Sequence, residues 1–298
     1  MTLYATADSI TQGALRAVAP RSWSEDETLD PKVWEYLHIS QAMEEAGEFD
    51  IVHSNFDFMP LTYSRLIKTP MVTTVHGFSI DQYRLVYRKY RDSYFVSISD
   101  ADRDPILPYV RTVYNGIRLD QFGFRPEPGQ YLAFVGRIHP DKGVHHAVQV
   151  ALTAGIPLVI GAIVQDEAYF RQLIEPSIDG RNVTFLGPVG PDERDELLGN
   201  ALGSLHLTTI PERFGLAMAE SMATGTPVIG FDLGSVREVV SDQETGFVVN
   251  TVEEAVAAAG RLGEISRHAC RERVERLFSV EAMTDGYEEV YRTVLEGG

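Results

Sequence analysis

Short apolar runs alternate with longer amphipathic stretches along nearly the whole chain. The runs 2–5, 51–53, 71–76, 94–98, 111–114, 131–135, 157–161, 183–186, 203–207, 227–231 and 246–249 are mostly β-branched and apolar on both faces. That is the pattern of strands buried inside a parallel sheet. Between them, 33–46, 144–154, 192–198 and 217–223 carry helical periodicity. Alternation of this kind predicts an α/β fold, with parallel sheets covered by helices on both sides. The last periodic stretch, 280–295, sets Met283, Tyr287, Val290, Tyr291 and Val294 three and four residues apart, so one helix face is buried.

One stretch breaks the rhythm. Residues 115–130 hold Gly116, Gly123, Pro126, Pro128 and Gly129 without a clear period, and a fresh strand follows at once. We read two doubly wound Rossmann-like domains, 1–125 and 126–279, joined near residue 125. A chain of 298 residues is long enough for both.

Composition narrows the function classes. Hydrophobic residues make up 44%, which excludes wholesale disorder. The longest apolar run, 156–164, is too short to cross a bilayer, and residues 1–7 have no signal-peptide pattern. The single Cys270 forbids an internal disulfide and suits a reducing, cytoplasmic setting. A formal charge of −17 argues against nucleic acid as a partner and against docking on an anionic membrane. An acidic protein that binds a diphosphate has to gather its few cations where the phosphates sit.

Residues 133–143, AFVGRIHPDKG, meet that requirement. A strand ends at Val135, Gly136 permits a tight turn, and Arg137 and Lys142 flank a loop before a helix. Ligands of open α/β sheets bind at the carboxyl ends of strands, and two cations beside a helix N-terminus suit a diphosphate. Taken alone, the same pattern also describes a loop with two solvated cations. Residues 211–229, PERFGLAMAESMATGTPVI, set Glu212 and Glu220 eight apart, with a helix starting near Gly215. Gly215 leaves room for a ligand, and the amides of Gly215 and Leu216 suit a phosphate. Glu220 suits a ribose diol and Glu212 sugar hydroxyls. Two isolated glutamates would instead be one acid favoured by the helix dipole and one on a wet face, but the flanking FGL and GTPVI weigh against that.

The histidines carry less. In TTVHGF, residues 73–78, His76 and Gly77 close a central strand. A histidine there is commonly packed or capping; the strand-end position followed by glycine supports a functional role. His53 has the same geometry without the glycine and reads as packed. His139, His145, His146, His206 and His268 show no metal-ligand spacing, and adjacent His145 and His146 on a helix face different directions. Neither a GxSxG elbow nor a Walker-type GxxxxGK[ST] occurs.

With these residues in view, the chain resembles the retaining glycosyltransferases of family 4, which have the GT-B fold. The likeness runs from Thr2 to about Leu295. Its most specific element is the E-x7-E pair in ERFGLAMAESMATGTPVI, followed by VGRIHPDKG, VHGF, VSISD at 96–100, VYNGI at 113–117 and SVREVVSDQETGFVV at 235–249. The resemblance implies a nucleotide-diphosphate sugar as donor, an unidentified hydroxyl acceptor, and no metal or other cofactor. It implies that Arg137 and Lys142 hold the donor diphosphate while Glu220 binds its ribose. Gly136, Phe214, Gly215 and Leu216 would lie against the donor, Glu212 would meet its sugar hydroxyls, and His76 would stand near the reacting centre. It also implies that the helix 280–298 packs back towards the first domain.

One departure accompanies the likeness. Relatives usually begin with a further strand and a Gly-rich loop, and this chain starts at the strand that follows them. The first domain is therefore expected to be incomplete, with exposed strand edges that favour self-association into a homo-oligomer. Two other readings go with the same motifs: a nucleotide-sugar-binding protein with little or no transfer, and a sugar-nucleotide 2-epimerase. The E-x7-E segment and the KG loop belong to the transferases rather than the epimerases.

Overall fold

The computed structural model describes residues 1–26, 28–77 and 81–297. Phe78, the last residue of the VHGF motif, lies outside them. The chain divides into two compact units: Met1–Val96 with Asp104–Arg111 and Glu289–Gly298, and Ser97–Arg103 with Thr112–Glu288.

In the first unit, β1 (Thr2–Tyr4) and β2 (Ala14–Arg16) pair in parallel as a sheet of their own. The expected first strand thus does not join the main sheet of its unit. It is anchored sideways instead: Tyr4 Oη donates to Glu45 at 2.5 Å, and Arg16 bonds Glu45 at 2.5 Å and Glu48 at 2.7 Å. β2 has only three residues between Gly13 and the 18–22 loop, too few to show a period. The main sheet runs in the order β3 (Val52–Ser54), β4 (Met71–Val75), β5 (Tyr94–Ser97), β6 (Tyr109–Thr112). Its helix Pro31–Glu44 starts on Asp30, whose carboxylate accepts from the Val33 amide, with proline in the first turn.

The second unit is a six-stranded sheet of β7 (Leu132–Ile138), β8 (Leu158–Val164), β9 (Val183–Gly187), β10 (Gly203–His206), β11 (Val228–Phe231) and β12 (Gly246–Val249). Every pairing is parallel, in the order β12-β11-β10-β7-β8-β9. Counted from β7, this is 3-2-1-4-5-6 read from the β9 edge, the dinucleotide-binding arrangement. Its order reverses between β7 and β10. Loops leaving those two strands diverge to opposite faces and open a crevice at their carboxyl ends.

The Pro/Gly-rich stretch expected to join two domains near residue 125 lies along the second unit. The Ile117 amide donates to the Phe278 carbonyl at 2.8 Å, Phe122 is buried in the core, and Arg125 pairs with Asp195 at 2.8 Å. Irregular backbone is pinned here by long-range bonds that no local pattern announces. The helix Val280–Glu296 buries Val290 and Val294; Glu288 is the last of its residues in the second unit. No helix among the described residues is long and apolar enough to cross a membrane.

One cation braces this unit from inside. Arg267, 6% exposed, donates to the carbonyls of Arg125, Ala201 and Gly199 at 2.6, 3.0 and 2.8 Å and to Thr226 Oγ1 at 2.7 Å. A planar guanidinium serves four acceptors at once, and an ammonium on a lysine stem does not. Arg267→Lys is expected to cost about 2–4 kcal/mol, since acceptors are left buried and unpaired. Urea unfolding of the two proteins measures it; a loss below about 0.5 kcal/mol contradicts the bracing role.

Candidate functional site

The crevice is built by two loops that lock together. After β7, Gly136 and Arg137 lead into the short turn Pro140–Lys142, where His139 Nδ1 accepts from the Asp141 amide at 3.3 Å. Gly143 then takes a left-handed conformation, φ +62°, and starts the helix Val144–Ala154. A Cβ there would lie 1.8 Å from the Leu207 carbonyl oxygen, so only glycine fits. The turn is zipped to the chain beyond β10: Thr209 N donates to the Asp141 carbonyl at 2.9 Å, and Thr209 Oγ1 to that of Pro140 at 3.2 Å.

The second loop fixes a carboxylate against the first. The Glu212 amide donates to the Leu233 carbonyl at 3.3 Å, and its own carbonyl accepts from Ser235 N at 2.9 Å. Backbone held at both ends leaves the side chain little freedom. Its Oε2 receives Lys142 Nζ at 2.7 Å and faces His206 Nε2 at 3.0 Å. Gly215, φ +83°, caps the helix Leu216–Ala223, whose first residues Leu216 and Ala217 line the crevice.

A cleft of about 290 Å³ results, wholly within the second unit. Gly136, Arg137, Lys142, Glu212, Phe214, Gly215 and Leu216 all line it, so most of the residues singled out in the sequence come together. Phe214 is chiefly a core residue, 2% exposed, its ring 5.5 Å from that of Phe278. Arg137 bonds the neutral side chain of Gln165, and no ion pair cancels its charge among the described residues. Glu220 is not part of the lining. It shares a helix stripe with Leu216 and Ala217, one turn earlier, and meets Arg194 at 3.5 Å. His76 belongs to the first unit, at the end of β4, with Nε2 3.2 Å from Asn55 Oδ1. His53 is packed as expected: Nδ1 meets Tyr291 Oη at 2.6 Å and Nε2 meets Thr74 Oγ1 at 2.8 Å. Burial, with His76 nearby, pushes its pKa down to about 4, so the ring is neutral.

Sequence reading missed Ile98, Asn115, His206, Thr208 and Arg213, which also line the cleft. The signal for two of them was there: in His-Leu-Thr, period-two alternation turns His206 and Thr208 one way and fully buried Leu207 the other. His145 and His146 do not diverge as expected. Their ring centroids are 3.9 Å apart, because Tyr169 Oη holds His145 Nδ1 at 2.6 Å while His146 lies against Phe231.

Residues 118–274, more than half of the chain, match the family model of "Glycosyl transferases group 1". The chain belongs to this family. Two relatives place it within the family. A D-inositol 3-phosphate glycosyltransferase of Rhodococcus erythropolis is 31% identical over 192 residues, 56% of this chain and 42% of the relative. A phosphatidyl-myo-inositol mannosyltransferase of Mycobacterium leprae is 24% identical over 292 residues, 85% of this chain and 75% of the relative. The chain thus spans less than half of the first relative's length. Among solved structures, Anabaena HepE in complex with UDP superposes with a TM-score of 0.75 at 16% identity, covering 94% of this chain and 86% of that one. That likeness is one of fold, and the fold is GT-B.

The carboxyls of the two glutamates are shifted in opposite directions. Burial pushes the Glu212 carboxyl up, but hydrogen bonding and attraction from His206 and Lys142 outweigh it and hold the group well below the ordinary carboxylate range. Burial raises Glu220, and Arg194 offsets only part of the rise. The depressed Glu212 contributes stability that is present at neutral pH and disappears as pH falls below about 4. The raised Glu220 contributes below its ordinary range and loses that contribution as pH rises. Glu212→Gln is therefore expected to lower stability by about 1–3 kcal/mol at pH 7, and by less in acid. Glu220→Gln should stabilise at pH 7 and change nothing near pH 3. Denaturant unfolding across pH reads both; equal signs at pH 7 would refute the contrast.

Proposed function

We propose that the chain is a retaining glycosyltransferase that moves a sugar from a nucleotide-diphosphate sugar to a hydroxyl acceptor without a metal. The observation that carries this reading is the meeting of Arg137, Lys142 and the first turn of the helix Leu216–Ala223 at the reversal point of the sheet, beside a fixed carboxylate. A diphosphate suits such a place, since two cations and helix amides balance its charge. Lys142 is held by Glu212 in the free protein, so an incoming phosphate competes for it and leaves Glu212 for the sugar.

In the proposed reaction the bond between the anomeric carbon and the diphosphate oxygen breaks. The acceptor oxygen bonds that carbon on the same face, and its proton passes to the leaving phosphate oxygen. No side-chain nucleophile takes part. Arg137, Lys142 and the helix amides stabilise charge that grows on the diphosphate as the bond lengthens. Glu212 orients the sugar and Glu220 accepts from the ribose diol. Acceptor trials start with inositol phosphates and phosphatidylinositol, the compounds in the relatives' names.

The test is calorimetry with UDP, GDP and ADP and their sugars, followed by donor consumption with the acceptor panel. Arg137→Ala and Lys142→Ala should each weaken diphosphate binding by about 1.5–3 kcal/mol. Glu220→Ala should weaken diphosphate and sugar nucleotide alike, whereas Glu212→Ala should spare the plain diphosphate and reduce turnover. Binding of none of the nucleotides, or full activity lost on adding EDTA, or inverted product at the anomeric carbon by NMR, each removes a part of the reading.

A further inference from the structure

The cleft contains a polar group without an internal purpose. Thr208 is 1% exposed, yet its Oγ1 has no hydrogen-bond partner among the described residues. The neighbouring threonine, Thr209, uses its hydroxyl to tie the two loops together, so the backbone here has its clasp already. A buried hydroxyl left unmatched is costly, and a methyl in its place would pack equally well. Such a group at the wall of a cleft marks a place where a ligand atom completes the bonding.

The surrounding chemistry selects the ligand atom. Glu212 is held ionised and only accepts; Lys142 donates; His206 presents a ring nitrogen to the same carboxylate oxygen. A phosphate oxygen would be repelled by Glu212, whereas a sugar hydroxyl both donates and accepts. It can give its proton to the carboxylate and take one from Thr208, whose hydroxyl is free to rotate. We propose that Thr208 is a specificity-determining residue, bonding one ring hydroxyl of the donor sugar opposite Glu212. The proposal rests on reading the cleft as a nucleotide-sugar site. It goes further in assigning a hydroxyl contact to the β10 side of the crevice, next to the carboxylate.

Thr208→Val removes the hydroxyl at constant shape, and Thr208→Ser keeps it. Calorimetry compares UDP with UDP-glucose and GDP with GDP-mannose on the wild-type chain and both variants. For whichever pair binds, Thr208→Val should hold the plain diphosphate within about twofold and weaken the sugar nucleotide about tenfold, the effect of one hydrogen bond. Thr208→Ser should stay close to wild type. A series of monodeoxy donors should contain one that binds wild type and Thr208→Val equally. The free Thr208→Val protein should melt no lower than wild type, because the lost hydroxyl had no partner. Equal weakening of diphosphate and sugar nucleotide, no weakening of either, or a lower melting temperature overturns the assignment. A wild-type chain that binds neither nucleotide class overturns the reading of the cleft itself, and is seen before any variant is made.

Discussion

The candidate site depends on a single close approach. The loop after β7 crosses the chain beyond β10 with backbone almost touching backbone, and residue 143 has to be without a side chain for that to happen. Given this contact, the turn carrying Lys142 is zipped to Thr209, Lys142 reaches Glu212, and the wall of the cleft is closed on one side. The reversal of strand order between β7 and β10 supplies the opening; the glycine supplies the clasp. A larger residue would push the two loops apart and separate the cation from the carboxylate by the width of the inserted atoms.

Charge follows the same economy of placement. The chain is strongly acidic, and three of its cations have definite tasks. Arg267 satisfies carbonyls inside the second unit, Lys142 holds Glu212, and Arg137 faces the cleft beside neutral Gln165. The Lys142–Glu212 pair is short, and both side chains are largely shielded from solvent. An ion pair in that setting is held in one geometry, and breaking it by removing either member leaves the other charge uncompensated. An anionic ligand avoids that cost by replacing one partner with another.

Much of the fold was readable because buried parallel strands are apolar on both faces. The runs 131–135, 183–186 and 246–249 correspond to β7, β9 and β12 with ends shifted by at most a few residues. β2 was not readable, since three residues show no period. The division of the chain was not readable either: bonds such as Ile117 to Phe278 join positions far apart in sequence, and glycine and proline mark irregular backbone whether it is loose or pinned. In the site, glycines and charges beside strand ends led to Gly136, Arg137, Lys142 and Glu212. His206 escaped because it was weighed only as a metal ligand, and Thr208 because it lies just past the run 203–207, although alternation continues past the last ladder bond. The close approach of the His145 and His146 rings escaped for another reason: Tyr169, which turns one ring, comes from a later helix.

The first unit is assembled from three separate stretches, the last of them after the second unit in sequence. On the ribosome this has an ordering consequence. Nearly all of the second unit, an unbroken run from Thr112 to Glu288, is available for folding before Glu289–Gly298 has left the exit tunnel. The first unit is begun before the second and completed after it, and it waits through the synthesis of the second without buried Val290 and Val294. Its sheet edges and apolar helix face are exposed to other chains for that interval. Residues 289–297 therefore close the first unit only after the second has been made, so a chain interrupted between the two units' last stretches leaves the first one open.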